Sequence, residues 1–267
     1  MSHAAEMPTT GVAYPTAESV EDFGRAIATV RTRIARAAGR AGRDASEVRL
    51  LPVSKTVPED RIRLAVRAGC RALGENKVQE AKRKWQNLAD VDVSWSVIGH
   101  LQTNKVKDVV AFADEFQALD SIRVADALDR RLQAAGRKLD VFVQINTSDE
   151  DSKFGLEPDQ ALEFLRQLRH RDSLRVQGLM TLALFTSDTE RVRACFRLLR
   201  TLRDRARDLD PELIGPGELS MGMSGDYETA IEEGATVVRV GQAIFGARPT
   251  PDSHYWPGTA PEPGNVA

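Results

Sequence analysis

Eight short apolar runs, separated by stretches of helical periodicity, constrain this chain more than any other feature. They are RLLPVSK (49–55), CRALGEN (70–76), SWSVIGH (94–100), EFQALD (115–120), LDVFVQIN (139–146), RVQGLMTLA (175–183), ELSMGM (218–223) and TVVRVG (236–241). Strands that alternate with helices pair in parallel, and eight is the number that closes a (β/α)8 barrel. The length of 267 residues agrees, since such barrels take roughly 250 residues. The expected fold class is therefore α/β, a TIM barrel, with one extra helix ahead of the repeat. That helix spans 19–40, where Val20, Phe23, Ile27, Val30 and Ile34 recur at three- and four-residue steps, and it should stop near Gly39. Of the later helices, 58–69 has Pro58 suited to the first turn and Gly69 to the stop, and 189–209 carries Val192, Cys195, Phe196 and Leu199 on one face. A doubly wound open sheet is the competing architecture, but no GxGxxG follows the first run. Residues 1–16 and 249–267 are rich in Pro, Gly and Ala without sustained apolar periodicity and read as flexible tails. A single barrel domain over 17–248 and no second domain are then expected.

Charge narrows the function classes. The chain has 37 basic and 39 acidic residues, a net charge of -2, which speaks against nucleic acid or an anionic membrane as partner. No apolar window approaches the roughly 18 residues of a membrane span, and MSHAAEMPTTGVAYP lacks the basic start and apolar centre of a signal peptide, so a cytoplasmic protein is expected. Cys70 and Cys195 are far from each other and from the histidines in sequence; they read as small buried hydrophobes rather than as a disulfide or a metal site.

Barrels carry their reactive groups at the carboxyl ends of the strands. The runs end on Lys55, Glu75 with Asn76, Gly99 with His100, Asp120, Asn146, Met180 with Thr181, Met223 with Ser224, and Arg239 with Gly241. Lys55 stands out because the chain writes 29 of its 37 basic residues as arginine and only eight as lysine. Arginine stays protonated in essentially any site, whereas a desolvated lysine can lose its proton and attack a carbonyl. The bland alternative is a strand-end lysine reaching solvent. SMGMSGDYETAIEEG places Ser224 and Gly225 at a strand-to-helix turn, with Asp226 as cap and a helix running to Glu233. Gly241 follows the eighth run directly, and both turns stand where barrels bind phosphate. Arg239 offers a charged fork to that phosphate or, inside the barrel, a partner for Glu75 or Asp120. A lysine beside a phosphate site suits pyridoxal phosphate or a sugar phosphate, and a first-strand lysine with phosphate held by strands seven and eight favours pyridoxal phosphate.

PVSKT, GENKVQE, WSVIGHLQTNK, QINTSDEDSKFG, VQGLMT and LSMGMSGDYETAIEEGATVVRVGQAIFG together resemble the YggS/PROSC-type pyridoxal phosphate homeostasis proteins over about residues 18–248. The resemblance implies the barrel of the alanine racemase N-terminal domain and pyridoxal 5'-phosphate as cofactor. It implies that Lys55 forms the internal Schiff base, that Ser224, Gly225 and Gly241 hold the phosphate beside Met223, that Arg239 lies against phosphate or pyridine ring, and that Asn76 lies near the ring. Three departures stand out: Lys77 where the family usually has tyrosine, Ser96 where it has histidine, and Gln242 where threonine or serine often follows the glycine. Lys77 reads as a solvated first-turn residue rather than a second amine. Racemases of this fold bring an opposing tyrosine from a second domain. Here Tyr14 and Tyr255 fall in the tails, and Tyr227 reads as a partly exposed helical residue. The expectation is a carrier without robust catalysis of its own that buffers pyridoxal phosphate and passes it to apoenzymes as a monomer; a minimal amino-acid racemase and a Schiff-base aldolase are the rivals.

Overall fold

The computed structural model describes residues 14–148 and 154–247. Its sheet has eight strands: β1 Arg49–Pro52, β2 Ala72–Glu75, β3 Ser94–Val97, β4 Glu115–Leu119, β5 Leu139–Gln144, β6 Leu174–Met180, β7 Glu218–Ser220 and β8 Val237–Val240. The order is β1-β8-β7-β6-β5-β4-β3-β2 and every ladder is parallel. The remaining seam, between β1 and β2, is closed by a single bridge from Val53 to Gly74, with the Ser54 N–H donating to the Gly74 carbonyl at 3.0 Å. All eight expected strands are present, and the barrel is the architecture.

The helices are α1 Val20–Arg40, α2 Glu59–Arg67, α3 Val78–Asn87, α4 Val106–Phe112, α5 Ile122–Ala135, α6 Ala161–Leu168, α7 Thr189–Leu209, α8 Tyr227–Glu232 and α9 Gln242–Phe245. Helix α1 opens on a capping box: the Ser19 side chain accepts from the Asp22 N–H, and the Asp22 side chain returns to the Ser19 N–H. It buries Phe23, Ile27, Val30 and Ile34 as the periodicity requires. Its end falls where expected, one residue past Gly39. The helix runs on to Arg40, and Gly42 takes φ +66° while Arg43 N–H reaches back to the Ala38 carbonyl at 2.9 Å. Both glycines fit the pattern, but only Gly42 stands where the chain must turn left-handed.

Residues 1–13 and 248–267, most of the expected tails, lie outside the described residues. Tyr14 to Thr16 are packed: the Tyr14 carbonyl accepts from Ala247 N–H at 3.2 Å, and Arg61 donates to the Ala17 carbonyl at 2.8 and 3.0 Å. No described helix is long and apolar enough to cross a membrane.

Cys70 and Cys195 are buried free thiols. Burial pushes the Cys70 thiol up from its ordinary value of 9.0 to about 11. Above pH 9.0 the unfolded chain gives up a proton that the folded chain keeps, so this group's contribution to stability is intact below pH 9.0 and is lost as pH rises towards about 11. The expected slope is about 1.4 kcal/mol per pH unit, and Cys70→Val should flatten that alkaline limb in denaturant titrations at pH 9 to 11.

Candidate functional site

The β1–β8 register builds one side of the rim. Pro52 stands opposite Val240, and Val53 N–H donates to the Val240 carbonyl at 2.9 Å. Lys55 and Gly241, both just past their strand ends, are thereby brought to the same mouth. They line one cavity with Val53, Arg61, Gln242 and Phe245. The approach is close at Gly241, where a Cβ would sit 3.2 Å from the Val53 carbonyl oxygen.

The turn after β7 supplies the adjoining wall. Gly222 has φ +92°, and a Cβ on it would lie 2.6 Å from Ala230 Cβ and 2.8 Å from Tyr227 Cα, so only glycine lets the chain pass α8. Asp226 is the residue before α8, but its carboxylate does not cap the helix; it accepts the Met223 N–H at 2.5 Å. That contact uses up the Met223 amide and leaves those of Ser224 and Gly225, which donate to no protein group among the described residues. Ser224 Oγ accepts from Gly241 N–H at 3.3 Å, joining the two glycine turns, and the Tyr14 hydroxyl donates to the Ser224 carbonyl at 3.2 Å. A Cβ on Gly225 would meet nothing within 4 Å, so this position opens onto free space. Tyr227 is not partly exposed as expected. It is buried at 1% exposure under the Arg33 guanidinium, 5.4 Å from the ring centroid, and burial pushes its phenol up to about 12.

Beneath the rim the barrel interior is polar. Strand residues alternate faces, so Glu115 and Gln117 of β4 point inward while Phe116 and Ala118 pack outward. Arg49 Nη2 donates to Glu115 Oε2 at 2.6 Å, and Ser96 Oγ and Gln117 Nε2 donate to Glu115 Oε1 at 2.8 and 2.6 Å. Ser220 Oγ donates to Gln117 Oε1 at 2.7 Å, and Arg239 closes the column, donating to Ser220 Oγ and to the Thr181 carbonyl at 2.7 Å each. Arg239 thus pairs with neither Glu75 nor Asp120. Burial lowers its pKa to about 10, which still leaves a cation at neutral pH. Ser96, one of the three departures, belongs to this column through Glu115.

Several expected rim residues face elsewhere. Glu75 points outward, because Gly74 and Asn76 hold the inward positions at the end of β2; its Oε1 accepts from Ser54 Oγ at 2.6 Å and from Lys84 Nζ at 2.8 Å. Asn76 is half-buried at the rim, its carbonyl so close to Gly99 that a Cβ there would lie 2.2 Å away. Asp120 faces His100 across 3.5 Å, and His100 stacks on Phe154 at 4.1 Å. Thr181 Oγ1 donates to the Ile145 carbonyl and meets Thr147 Oγ1, each at 2.8 Å, and Asn146 Oδ1 accepts from Ser148. Lys77 is exposed, as expected, and lines a shallow concavity with Thr56, Glu80 and Arg83.

Sequence reasoning passed over Arg61 and Lys84. Arg61 joins the cavity wall while its guanidinium ties Ala17 to Phe245, donating to their carbonyls at 2.8 and 2.5 Å. Lys84 is fully buried on α3. The signal for it was in the chain: Val78, Ala81 and Lys84 recur every three residues, so the lysine stands on the buried face of an amphipathic helix. Thr56, directly after Lys55, is the one non-glycine residue with positive φ among the described residues, at +66°. A β-branched residue held there stores about 1–3 kcal/mol of strain. Lys55 and Gly241 share one cavity, and Gly241 is joined through Ser224 Oγ to the turn after β7; an amine beside two glycine turns suits a phosphorylated carbonyl compound.

Comparison with known proteins places the chain in a family. Residues 26–249 match the family described as alanine racemase, N-terminal domain. The pyridoxal phosphate homeostasis protein of Aquifex aeolicus is 40% identical over 223 residues, covering 83% of this chain and 96% of that protein. The protein of the same name from Escherichia coli K12 is 39% identical over 232 residues, 86% of this chain and 98% of that protein. Among solved structures, PipY of Synechococcus elongatus with PLP bound aligns at a TM-score of 0.74 with 33% identity, over 84% of this chain and 100% of that one. An alanine racemase of Clostridium difficile aligns at 0.69 with 15% identity, over 91% of this chain and 61% of that one, and shares the fold.

Proposed function

We propose that this chain, which belongs to the alanine racemase N-terminal-domain family and within it to the pyridoxal phosphate homeostasis proteins, binds pyridoxal 5'-phosphate as a Schiff base on Lys55 and serves to keep the intracellular pool of that cofactor. The observation that carries the reading is that Lys55 and Gly241 share one cavity whose adjoining turn holds unpartnered amides at Ser224 and Gly225. When bound, the cofactor supplies an aldehyde carbon that a lysine amine takes up reversibly. Ser224, Gly225 and Gly241 would hold its phosphate, Met223 shapes the turn behind them, Arg239 would present its guanidinium to phosphate or ring, and Asn76 would border the ring. Gln242 lines the cavity in place of a hydroxyl residue, so the phosphate here relies on main-chain donors.

The reading is of a carrier and not an enzyme. The curated relatives are named for homeostasis and not for a reaction. We take residues 17–248 as one cofactor-binding barrel, the protein as a cytoplasmic monomer, and pyridoxal phosphate-dependent apoenzymes as recipients.

The test is reduction of the purified protein with borohydride in the presence of pyridoxal phosphate, followed by peptide mass analysis. The expected result is one pyridoxyl adduct, on Lys55, lost together with the visible absorbance band in Lys55→Ala. A full band in that variant would overturn the assignment. Amino acids kept with the protein in heavy water should gain no more deuterium at the α carbon than free cofactor brings about; faster exchange would identify a racemase.

A further inference from the structure

We propose that Lys84 is the positioning residue of Lys55: its buried ammonium holds the chain on both sides of the reactive lysine. The proposal rests on the Schiff-base reading for its consequence and on geometry of its own for its cause. Lys84 Nζ, with its side chain 0% exposed, donates to the Ser54 carbonyl at 2.7 Å and to Glu75 Oε1 at 2.8 Å, and pairs with Glu80 Oε1 at 2.7 Å. Ser54 Oγ donates to the same Glu75 oxygen at 2.6 Å, and Glu80 Oε1 accepts the Thr56 N–H at 2.8 Å. One cation and two carboxyl groups therefore hold Ser54 and Thr56, the two neighbours of Lys55, with contacts to main-chain atoms of both.

Four features say what the cluster is for. An ammonium offers three donors in a compact fan, and three acceptors meet it here; a planar guanidinium would not fit, which explains a lysine in a chain that otherwise favours arginine. The cluster sits on the outer face of the barrel, between β1, β2 and α3, so it does not touch the cavity and acts only through the Ser54–Thr56 main chain. Thr56 keeps its left-handed conformation where its amide is bound. Glu75 Oε2 has no partner, and burial pushes the Glu75 carboxyl up, so the cluster is not the arrangement that stability alone would choose.

The variant Lys84→Met combined with Glu75→Gln removes the ammonium and the fully buried one of its two carboxyl partners, leaving Glu80, whose side chain is 18% exposed. It should fold with the far-ultraviolet dichroism of the parent. Its Thr56 amide, in protein without cofactor, should exchange with solvent about tenfold faster or more, and its affinity for pyridoxal phosphate should fall by about tenfold with a weaker visible dichroic signal per bound cofactor. Glycine adopts φ near +66° without strain, so in a Thr56→Gly background the same double change should cost less than roughly threefold in affinity. Unchanged exchange at Thr56, or an equal loss of affinity in both backgrounds, overturns the proposal. If the parent protein itself forms no adduct on Lys55, the functional reading fails and the exchange measurement alone decides the role of Lys84.

Discussion

Replacing Arg239 with methionine is expected to weaken pyridoxal phosphate binding by about 30-fold, while the protein without cofactor keeps its stability to within about 2 kcal/mol. The two halves have one cause. Arg239 is 3% exposed, and among the described residues no carboxylate pairs with it; it bonds to a serine hydroxyl and a main-chain carbonyl. A buried cation held only by neutral groups costs several kcal/mol in desolvation, and an apolar side chain of similar length avoids that cost while leaving the Thr181 carbonyl short of a donor. The two effects nearly cancel in the absence of ligand. What is lost is a charge-assisted bond to an anionic or electron-rich group on the cofactor, worth about 2 kcal/mol. Calorimetric titration with pyridoxal phosphate and urea unfolding of the cofactor-free protein measure the two halves separately. A loss of more than about 4 kcal/mol in stability with binding intact would make Arg239 a structural residue of the barrel column.

Gly178→Ala is expected to lower stability by about 3 kcal/mol or more, because it makes the shortest overlap of any Cβ added among the described glycines. The added Cβ would lie 1.9 Å from the Glu218 carbonyl oxygen and 2.6 Å from its carbon and nitrogen. These are main-chain atoms of the paired strand, in register with Gly178 itself, so no rotamer change relieves the overlap. β7 has only three residues and joins directly to the turn that carries Ser224 and Gly225. Pushing it away from β6 therefore loosens both the ladder and the anion cradle. The check is the midpoint of guanidinium unfolding, with Gly225→Ala as control, since a Cβ on Gly225 meets nothing within 4 Å. A shift of less than about 1 kcal/mol for Gly178→Ala would show that the two strands can part.

Much of the barrel was legible in the chain because its evidence is local. Apolar runs, helix periodicity and stop glycines are written within a dozen residues of one another, and all eight strands and α1, α2 and α7 follow from them. Lys55 was legible for a compositional reason, as a lysine among arginines at the end of an apolar run. The two glycine turns were legible from their place in the order of strands, although Gly222, which the turn after β7 needs most, is one of several glycines there and nothing nearby marks it out. Arg239 was recognised and its partners were not: Ser220 and the Thr181 carbonyl belong to β7 and to the end of β6, and no spacing in sequence links them to β8.

By itself, then, the sequence determined the number and order of strands, the span of α1, and which residues end each strand, since these depend on short-range sterics and on the period of apolar side chains. Only the tertiary structure decided which polar groups those residues meet. Glu75 faces outward to Lys84, Arg239 inward to Ser220, and Tyr227 beneath Arg33, because a buried polar group goes where partners from distant elements can satisfy it. Strand order places Lys55 at the rim; the packing of α3 against β1 and β2 sets the conformation in which it stands there.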